Sequence, residues 1–232
     1  MKKISLAIPT YNRFEMTLDS FADVYDDERV GEIIIVDDAS DMDTFLKLKS
    51  VCDALPKVHL YRNLTNQDCY ANKMIAISYC NNDYCILLDS DNKIGNDYLD
   101  KIYEQKWVAT TILTPDFAKP HFDFRAYSTA VASRRNIYYL IDQPMFEVCL
   151  NAANFFVNRN EYLKAWDSSV DPVTSDSIFL MLRWLELGNM IHIVKGLQYE
   201  HRVHNGSHYQ NNVHRTAQGF HDSILTKLRQ LK

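Results

Sequence analysis

Glycine is scarce in this sequence, with six in 232 residues. No G-x-G-x-x-G follows a strand-like run, which excludes the dinucleotide-binding turn of a dehydrogenase. The loop after the first strand-like run is Pro9-Thr10-Tyr11-Asn12-Arg13. It lacks the glycine-rich, basic cradle that a nucleotidyltransferase uses for a triphosphate. No C-x-x-C pair occurs among Cys52, Cys69, Cys80, Cys85 and Cys149. Their odd number and apolar or helical surroundings point to reduced, buried thiols of a cytoplasmic protein. No apolar run approaches the roughly 20 residues of a membrane span. Met1-Lys2-Lys3-Ile4 opens an apolar stretch too short for a signal peptide, without a small-residue cleavage site. Asn63-Leu64-Thr65 and Asn205-Gly206-Ser207 match the N-glycan acceptor pattern, which matters only in a secreted chain. The net charge is −5, so no nucleic-acid partner is implied. Asp26-Asp27-Glu28-Arg29 is a short charge run of the kind found at a solvated helix end.

What is present is an ordinary globular composition, 47% hydrophobic and 24% charged. Ile4, Leu6, Ala7 and Ile8 open a near-continuous apolar strand, stopped by Pro9. A helical pattern over 14–25 follows. A second apolar strand over 32–36 runs into Asp37 and Asp38. Asp41 or Asp43 is placed to cap a helix that reaches about residue 55. A shorter strand over 58–61, a helix over 69–80 and a fourth strand over 84–88 complete the first half. This alternation predicts a parallel sheet with right-handed crossovers. Its strand ends carry Thr10, Tyr11 and Asn12, then Asp37 and Asp38, then Asp89 and Asp91. In a parallel sheet these fall on one edge, where such sheets hold ligands.

The second half is less regular. Helices are expected over 97–107, 160–166 and 174–186, and a strand over 190–194. Residues 128–140 are ambiguous, helix first and strand later. Residues 148–157 suggest a strand or strand-loop lining a pocket. The tail from 214 is amphipathic, with Phe220, Ile224, Leu225, Leu228 and Leu231 on one face. Packing on the domain is its default, since its polar face is not strongly basic; a second copy or a membrane surface are the other options. No repeat or low-complexity linker divides the chain. The expectation is one domain with two lobes, over 1–95 and 96–213, and a C-terminal helix over 214–232.

Leu87-Leu88-Asp89-Ser90-Asp91-Asn92 carries the chemistry. If strand geometry holds to its end, Asp89 and Asp91 leave on one side. Two carboxylates so placed suit a hard divalent cation, Mg²⁺ or Mn²⁺. Asp, Ser and Asn also favour plain turns, so the reading gains from the rest of the chain.

Ile4-Ser5-Leu6-Ala7-Ile8-Pro9-Thr10-Tyr11-Asn12, Ile34-Ile35-Val36-Asp37-Asp38-Ala39-Ser40 and the Asp89–Asp91 segment occur in order and at suitable intervals. Together they resemble family 2 glycosyltransferases of the GT-A fold. The resemblance covers the first ~100 residues and then two shorter stretches, around Ser175-Asp176-Ser177 and from Tyr199 to Ser207. It implies an α/β, Rossmann-like, mostly parallel sheet flanked by helices, with an irregular acceptor side. It implies an inverting transferase, dependent on Mn²⁺ or Mg²⁺, that takes a UDP-, GDP- or dTDP-sugar to a glycan, lipid-linked or protein acceptor.

Residue by residue, the resemblance places Pro9, Thr10, Tyr11 and Asn12 against the base and ribose. Asp38 would accept from the base N–H, while Asp37 is structural. Asp89 would meet the ribose or a water on the metal, with Ser90 beside it at the nucleotide-sugar site. Asp91 would ligate the metal. Asp176 stands where the family keeps its catalytic base, with Ser175 in place of the usual Glu. His204 or His201 would be the late histidine reaching metal or diphosphate. Lys73 would face the phosphates. Apart from the resemblance, Asn151 and Asn154 are candidates to read sugar hydroxyls.

Plainer readings stand beside these. Asp38 would close a turn, Asp176 would be an acid favoured at a helix start, and Lys73 would be an exposed lysine. His201, His204 and His208 would be loop histidines, or a zinc cluster lacking its acidic partner. Tyr138, Tyr139, Phe155 and Phe156 would be core, and Arg134 and Arg135 a solvated pair. Two other functions fit the same sheet. A sugar-phosphate nucleotidyltransferase would release pyrophosphate, and an inactive nucleotide-sugar-binding module would bind without turnover.

Overall fold

A computed structural model describes residues 1–152, 154–204, 207, 212–215 and 219–231. β1 (Ile4–Thr10) is buried throughout, and β2 (Val30–Asp37) is buried from Glu32 onward. Strands covered on both faces need apolar side chains at every position, which is why the two read as continuous apolar runs. α1 (Phe14–Phe21) lies between them; the helix expected to reach residue 25 ends in a 3₁₀ turn at Ala22–Val24. α2 (Met42–Cys52), β3 (Val58–Arg62), α3 (Asp68–Tyr79) and β4 (Tyr84–Leu87) follow. Asp41 caps α2 by accepting the Thr44 N–H at 2.8 Å.

These four strands pair in parallel in the order β3-β2-β1-β4. The register sets Thr10 beside Asp37 and Ala7 beside Leu87. The Asp38 N–H donates to the Thr10 carbonyl and the Leu88 N–H to the Ala7 carbonyl, both at 2.9 Å. The polar loops at the three strand ends are therefore stitched to one edge of the sheet.

The second half adds α4 (Asn96–Tyr103), β5 (Thr111–Lys119), β6 (Phe122–Asp123), β7 (Val131–Ala132) and α5 (Ile137–Leu140). After these come α6 (Phe146–Asn151), β8 (Phe156–Asn158), α7 (Arg159–Ala165), α8 (Asp176–Glu186), β9 (Met190–Glu200) and α9 (Phe220–Gln230). The sheet continues β4-β8-β5-β9-β7, with β6 on β5, to nine strands among the described residues. β8 runs antiparallel to β4 and β5, whereas β5 and β9 are parallel.

Three expectations for this half are corrected. The stretch expected as a strand or strand-loop over 148–157 starts inside α6, whose buried Phe146, Cys149 and Leu150 have helical spacing, and only its last two residues join a strand, β8. In 128–140 the strand comes first and the helix second. β9 continues past residue 194 to Glu200 because β5 offers it partners as far as Lys119. Pro115 has no N–H for the ladder, and the β5–β9 register shifts between Pro115 and Phe117.

α8 buries nine of its 11 residues, including Trp184 and Met181, and so lies inside the protein. α9 buries Ile224, Leu225 and Leu228 and packs on α5 and α8, the default expected of the amphipathic tail. Among the described residues no helix is long and apolar enough to cross a membrane. His208 and the Asn205 glycan-acceptor pattern lie outside the described residues.

Candidate active site

A cavity of about 670 Å³ opens at the carboxyl edge of β1 and β2 and beside the turn after β4. Pro9, Thr10, Tyr11 and Asn12 line it, together with Asp38, Asp89, Ser90 and His204. Asn12 has a φ of 52°, which asparagine tolerates better than most residues. Its N–H donates to Ser40 Oγ at 2.8 Å, and its Oδ1 accepts the Asp41 N–H at 2.9 Å. The loops after β1 and β2 are thereby locked to each other.

Asp37 and Asp38 divide their work by direction. Asp37 is fully buried, accepts from Arg62 Nη1 at 2.7 Å and from the Ser40 N–H at 3.2 Å, and braces the loop. Asp38 reaches the cavity, and its Oδ1 accepts from Asn63 Nδ2 at 2.7 Å and the Gln67 N–H at 2.8 Å. Burial pushes the Asp38 carboxyl above the usual carboxylate range, against the pull of those two bonds.

Asp89 and Asp91 do not leave one strand side by side. β4 ends at Leu87, and the Asn92 N–H donates to the Asp89 carbonyl at 2.9 Å, closing a turn over the two acids. They meet different partners. Asp91 Oδ2 lies 3.0 Å from Arg13 Nη1 and 3.0 Å from His204 Nε2. Asp89 Oδ1 lies 3.2 Å from Lys73 Nζ. The Ser90 hydroxyl is buried and has no partner among the described residues.

Lys73 is 5% exposed, and its ammonium also donates to Asp176 Oδ2 at 2.7 Å. It is neither an exposed lysine nor a cation facing open space; it lies between two carboxylates. Burial works against its charge, but Asp176 and then Asp89 outweigh that and hold the ammonium well above the ordinary lysine range. Cys69 Sγ completes the cluster, donating to Asp176 Oδ2 at 3.7 Å. Asp89 is pushed upward by burial, with Lys73 opposing and Asp91 and Asp176 adding to the rise.

Two sequence candidates take other places. Asn154 is fully buried with φ of 72°; its Oδ1 accepts the Asp89 N–H at 2.8 Å and its carbonyl accepts the Tyr98 hydroxyl at 2.5 Å. It orients the acidic turn and offers no open face to a sugar. Asn151 likewise serves the backbone, accepting the Ile178 N–H at 3.2 Å. His201 packs against Phe122, ring centroids 5.1 Å apart, while His204 reaches Asp91. Burial, with His121 adding, pulls the His201 imidazole below the usual histidine range.

Sequence reasoning assigned no role to Arg202. Its Nε donates to the Asp91 carbonyl at 2.7 Å, Nη2 to the Asn92 carbonyl at 2.9 Å, and Nη1 pairs with Asp19 at 2.7 Å. One guanidinium thus grips the acidic turn and ties it to α1. Arg13 and the Arg215–Asp68 pair, 2.8 Å, also border the cavity. The only sequence signal for Arg202 was its place between His201 and His204.

A mostly parallel sheet flanked by helices, with acids of separate strand ends around one cavity, is the architecture of the GT-A glycosyltransferases. The chain belongs to glycosyl transferase family 2, whose family model matches residues 5–166. Solved structures share the fold at low identity. S. aureus TarS 1-349 in complex with UDP-GlcNAc has a TM-score of 0.61 at 15% identity, over 90% of this chain and 60% of that one. A longer S. aureus TarS structure gives 0.62 at 15% identity, over 97% of this chain and 42% of that one. The mannosyltransferase PcManGT from Pyrobaculum calidifontis, in complex with GDP-Man and Mn²⁺, gives 0.65 at 13% identity, over 99% and 69%. This chain therefore spans 60% and 42% of the two TarS structures. No curated protein matches the chain.

Proposed function

We propose that this chain moves a sugar from a nucleoside-diphosphate sugar to an acceptor hydroxyl, with inversion and with Mn²⁺ or Mg²⁺. The observation that carries it is one cavity rim holding Asp38, Asp89, Ser90 and His204, with Asp91 bonded to His204 and Asp176 joined to Asp89 through Lys73. The complexes of TarS with UDP-GlcNAc and of PcManGT with GDP-Man and Mn²⁺ support a nucleotide-sugar donor and a divalent cation.

Asp91 and His204 would hold the cation, one oxygen and one nitrogen donor. Among the described residues no group of three or more His, Cys, Asp or Glu is placed to do so. That donor set fits an ion that draws its remaining ligands from diphosphate and water. When bound, the cation neutralises charge developing on the departing diphosphate.

Pro9, Thr10, Tyr11 and Asn12 form the wall for base and ribose, and Asp38 accepts the base N–H. Ser90 lines the same cavity beside Asp89, with its hydroxyl buried. Asp176 takes the proton of the acceptor hydroxyl as that oxygen bonds to the anomeric carbon. The bond from that carbon to the diphosphate oxygen breaks, and its electron pair leaves with the nucleoside diphosphate. General-base help of this kind contributes roughly 10²–10⁴-fold. Lys73 holds Asp176 and Asp89 at a fixed separation.

The test starts with thermal shifts in UDP-, GDP-, dTDP- and CMP-sugars, with and without Mn²⁺, followed by transfer to a panel of glycan, lipid-linked and protein acceptors. Asp91→Ala should abolish transfer and weaken nucleoside-diphosphate binding in Mn²⁺. Asp176→Asn should keep donor affinity and lose transfer; a fall in donor affinity instead removes its role as base. Pyrophosphate release, or tight binding without turnover, would overturn the transferase reading.

A further inference from the structure

Ser175 stands immediately before Asp176, at the N-cap of α8. Serine at this position normally accepts a hydrogen bond from an N–H of the first turn. Here its side chain makes no such bond. Its Oγ lies 2.8 Å from Nδ1 of His221 on α9, and His221 Nε2 lies 2.7 Å from Glu147 Oε1 on α6. An ionised carboxylate only accepts, so Nε2 carries the proton that goes to Glu147. With the proton on Nε2, Nδ1 of a neutral ring accepts from the Ser175 hydroxyl, and a charged ring donates to it; both keep the contact.

The first turn of α8 is held a second time from α6. Asn151 Oδ1 accepts the Ile178 N–H at 3.2 Å, and its Nδ2 donates to the Thr174 carbonyl at 3.4 Å. Asn151 does what the N-cap serine would have done, and the freed Ser175 hydroxyl reaches another helix. A serine, a histidine and a glutamate in series also suggest an activated nucleophile. Ser175 is 2% exposed, so no substrate reaches its oxygen.

We propose that His221 is a positioning residue for Asp176, acting through Ser175 and anchored by Glu147. The proposal rests on the reading of Asp176 as general base. Asp176 is drawn by Lys73 of α3 at one oxygen, 2.7 Å away. Without a fixed helix start, that pull would shift the carboxylate toward α3 and away from the acceptor hydroxyl. The Ser175–His221–Glu147 relay fixes the backbone one residue before the base. It makes the C-terminal helix part of the active site, 46 residues beyond Ser175 in sequence.

The experiment compares wild type, His221→Phe, His221→Asn, Ser175→Ala and the Ser175→Ala/His221→Phe double variant. The readouts are UDP or GDP release from the donor sugar that shifts the wild-type melting temperature, and amide hydrogen exchange across residues 176–179. A base displaced by about an ångström loses roughly 10²-fold, so kcat should fall roughly 10- to 100-fold in His221→Phe with donor KM little changed. Exchange in the first turn of α8 should speed up in parallel. His221→Asn keeps a polar atom near the Nδ1 position and should recover most of both. The double variant should be no worse than either single one, since all break one relay. Wild-type kcat in His221→Phe, a kcat loss without faster exchange, or additive losses in the double variant would overturn the proposal. Should His221→Phe not fold, Ser175→Ala removes a single oxygen and carries the same comparison. Absence of turnover in wild type would sink the transferase reading instead, and the exchange data would still decide whether the relay holds α8.

Discussion

Lys73→Met removes the cation between Asp89 and Asp176 while keeping a chain of similar length. The ammonium is 2.7 Å from Asp176 and 3.2 Å from Asp89, and Lys73 and Asp176 are 5% and 8% exposed. Removing one partner of a buried ion pair typically costs about 3–5 kcal/mol, because the other charge stays buried and uncompensated. The Asp89 side chain is 24% exposed, so water screens its share and the lower end, about 3 kcal/mol, is expected. For 150–250 residues each kcal/mol moves Tm by about 2–4 °C, so the variant should melt about 6–12 °C lower. The folded pKa of Lys73 is raised, so its stabilisation is present below the unfolded lysine value and is lost only as pH rises through the folded one. The deficit should therefore persist across neutral pH. It should shrink on acidification, when protons neutralise the abandoned carboxylates. Asp176→Asn removes one of those charges, and the Lys73→Met/Asp176→Asn double variant should recover about 1–3 kcal/mol relative to additivity. Urea and thermal unfolding of the four proteins measure this cycle. A Lys73→Met protein within about 1 kcal/mol of wild type, or an additive double variant, refutes the reasoning.

Arg202→Ala frees the turn whose Asp91 and Asn92 carbonyls it holds at 2.7 and 2.9 Å. Loss of a group that orients a metal ligand typically costs 10–100-fold in metal affinity, so Mn²⁺-dependent binding of UDP or GDP should weaken by roughly tenfold or more; unchanged affinity by calorimetry refutes it. Burial raises the folded pKa of Asp38, so its acceptor form disappears on acidification at a higher pH than that of an ordinary aspartate. Nucleotide affinity should decline in that window, and Asp38→Asn should bind weakly with a flat pH profile; a wild-type profile in the variant would remove Asp38 from the base site.

The first half of the fold was legible because parallel strands covered on both faces leave a plain trace. Ile33, Ile34, Ile35 and Val36 are all fully buried, and the acids begin where that apolar run ends. The second half mixes strand directions and leaves a weaker trace. β5 carries Pro115, and α6 has only six residues, under two turns and too short to show a period. In the sequence Asn154 is only a polar residue in an apolar stretch, and its partner is a backbone N–H 65 residues away. No local pattern encodes that bond.

Residue types and their order alone determined the alternating architecture, the acid-bearing edge and the family, because buried strands must be apolar and ligands gather where they end. Only the tertiary structure decided which charges face one another. Lys73 lies between Asp89 and Asp176, Arg202 grips the acidic turn, and His204 rather than His201 meets Asp91. These partners sit on elements far apart in the chain, and a few ångströms between them set the electrostatics that residue order leaves open.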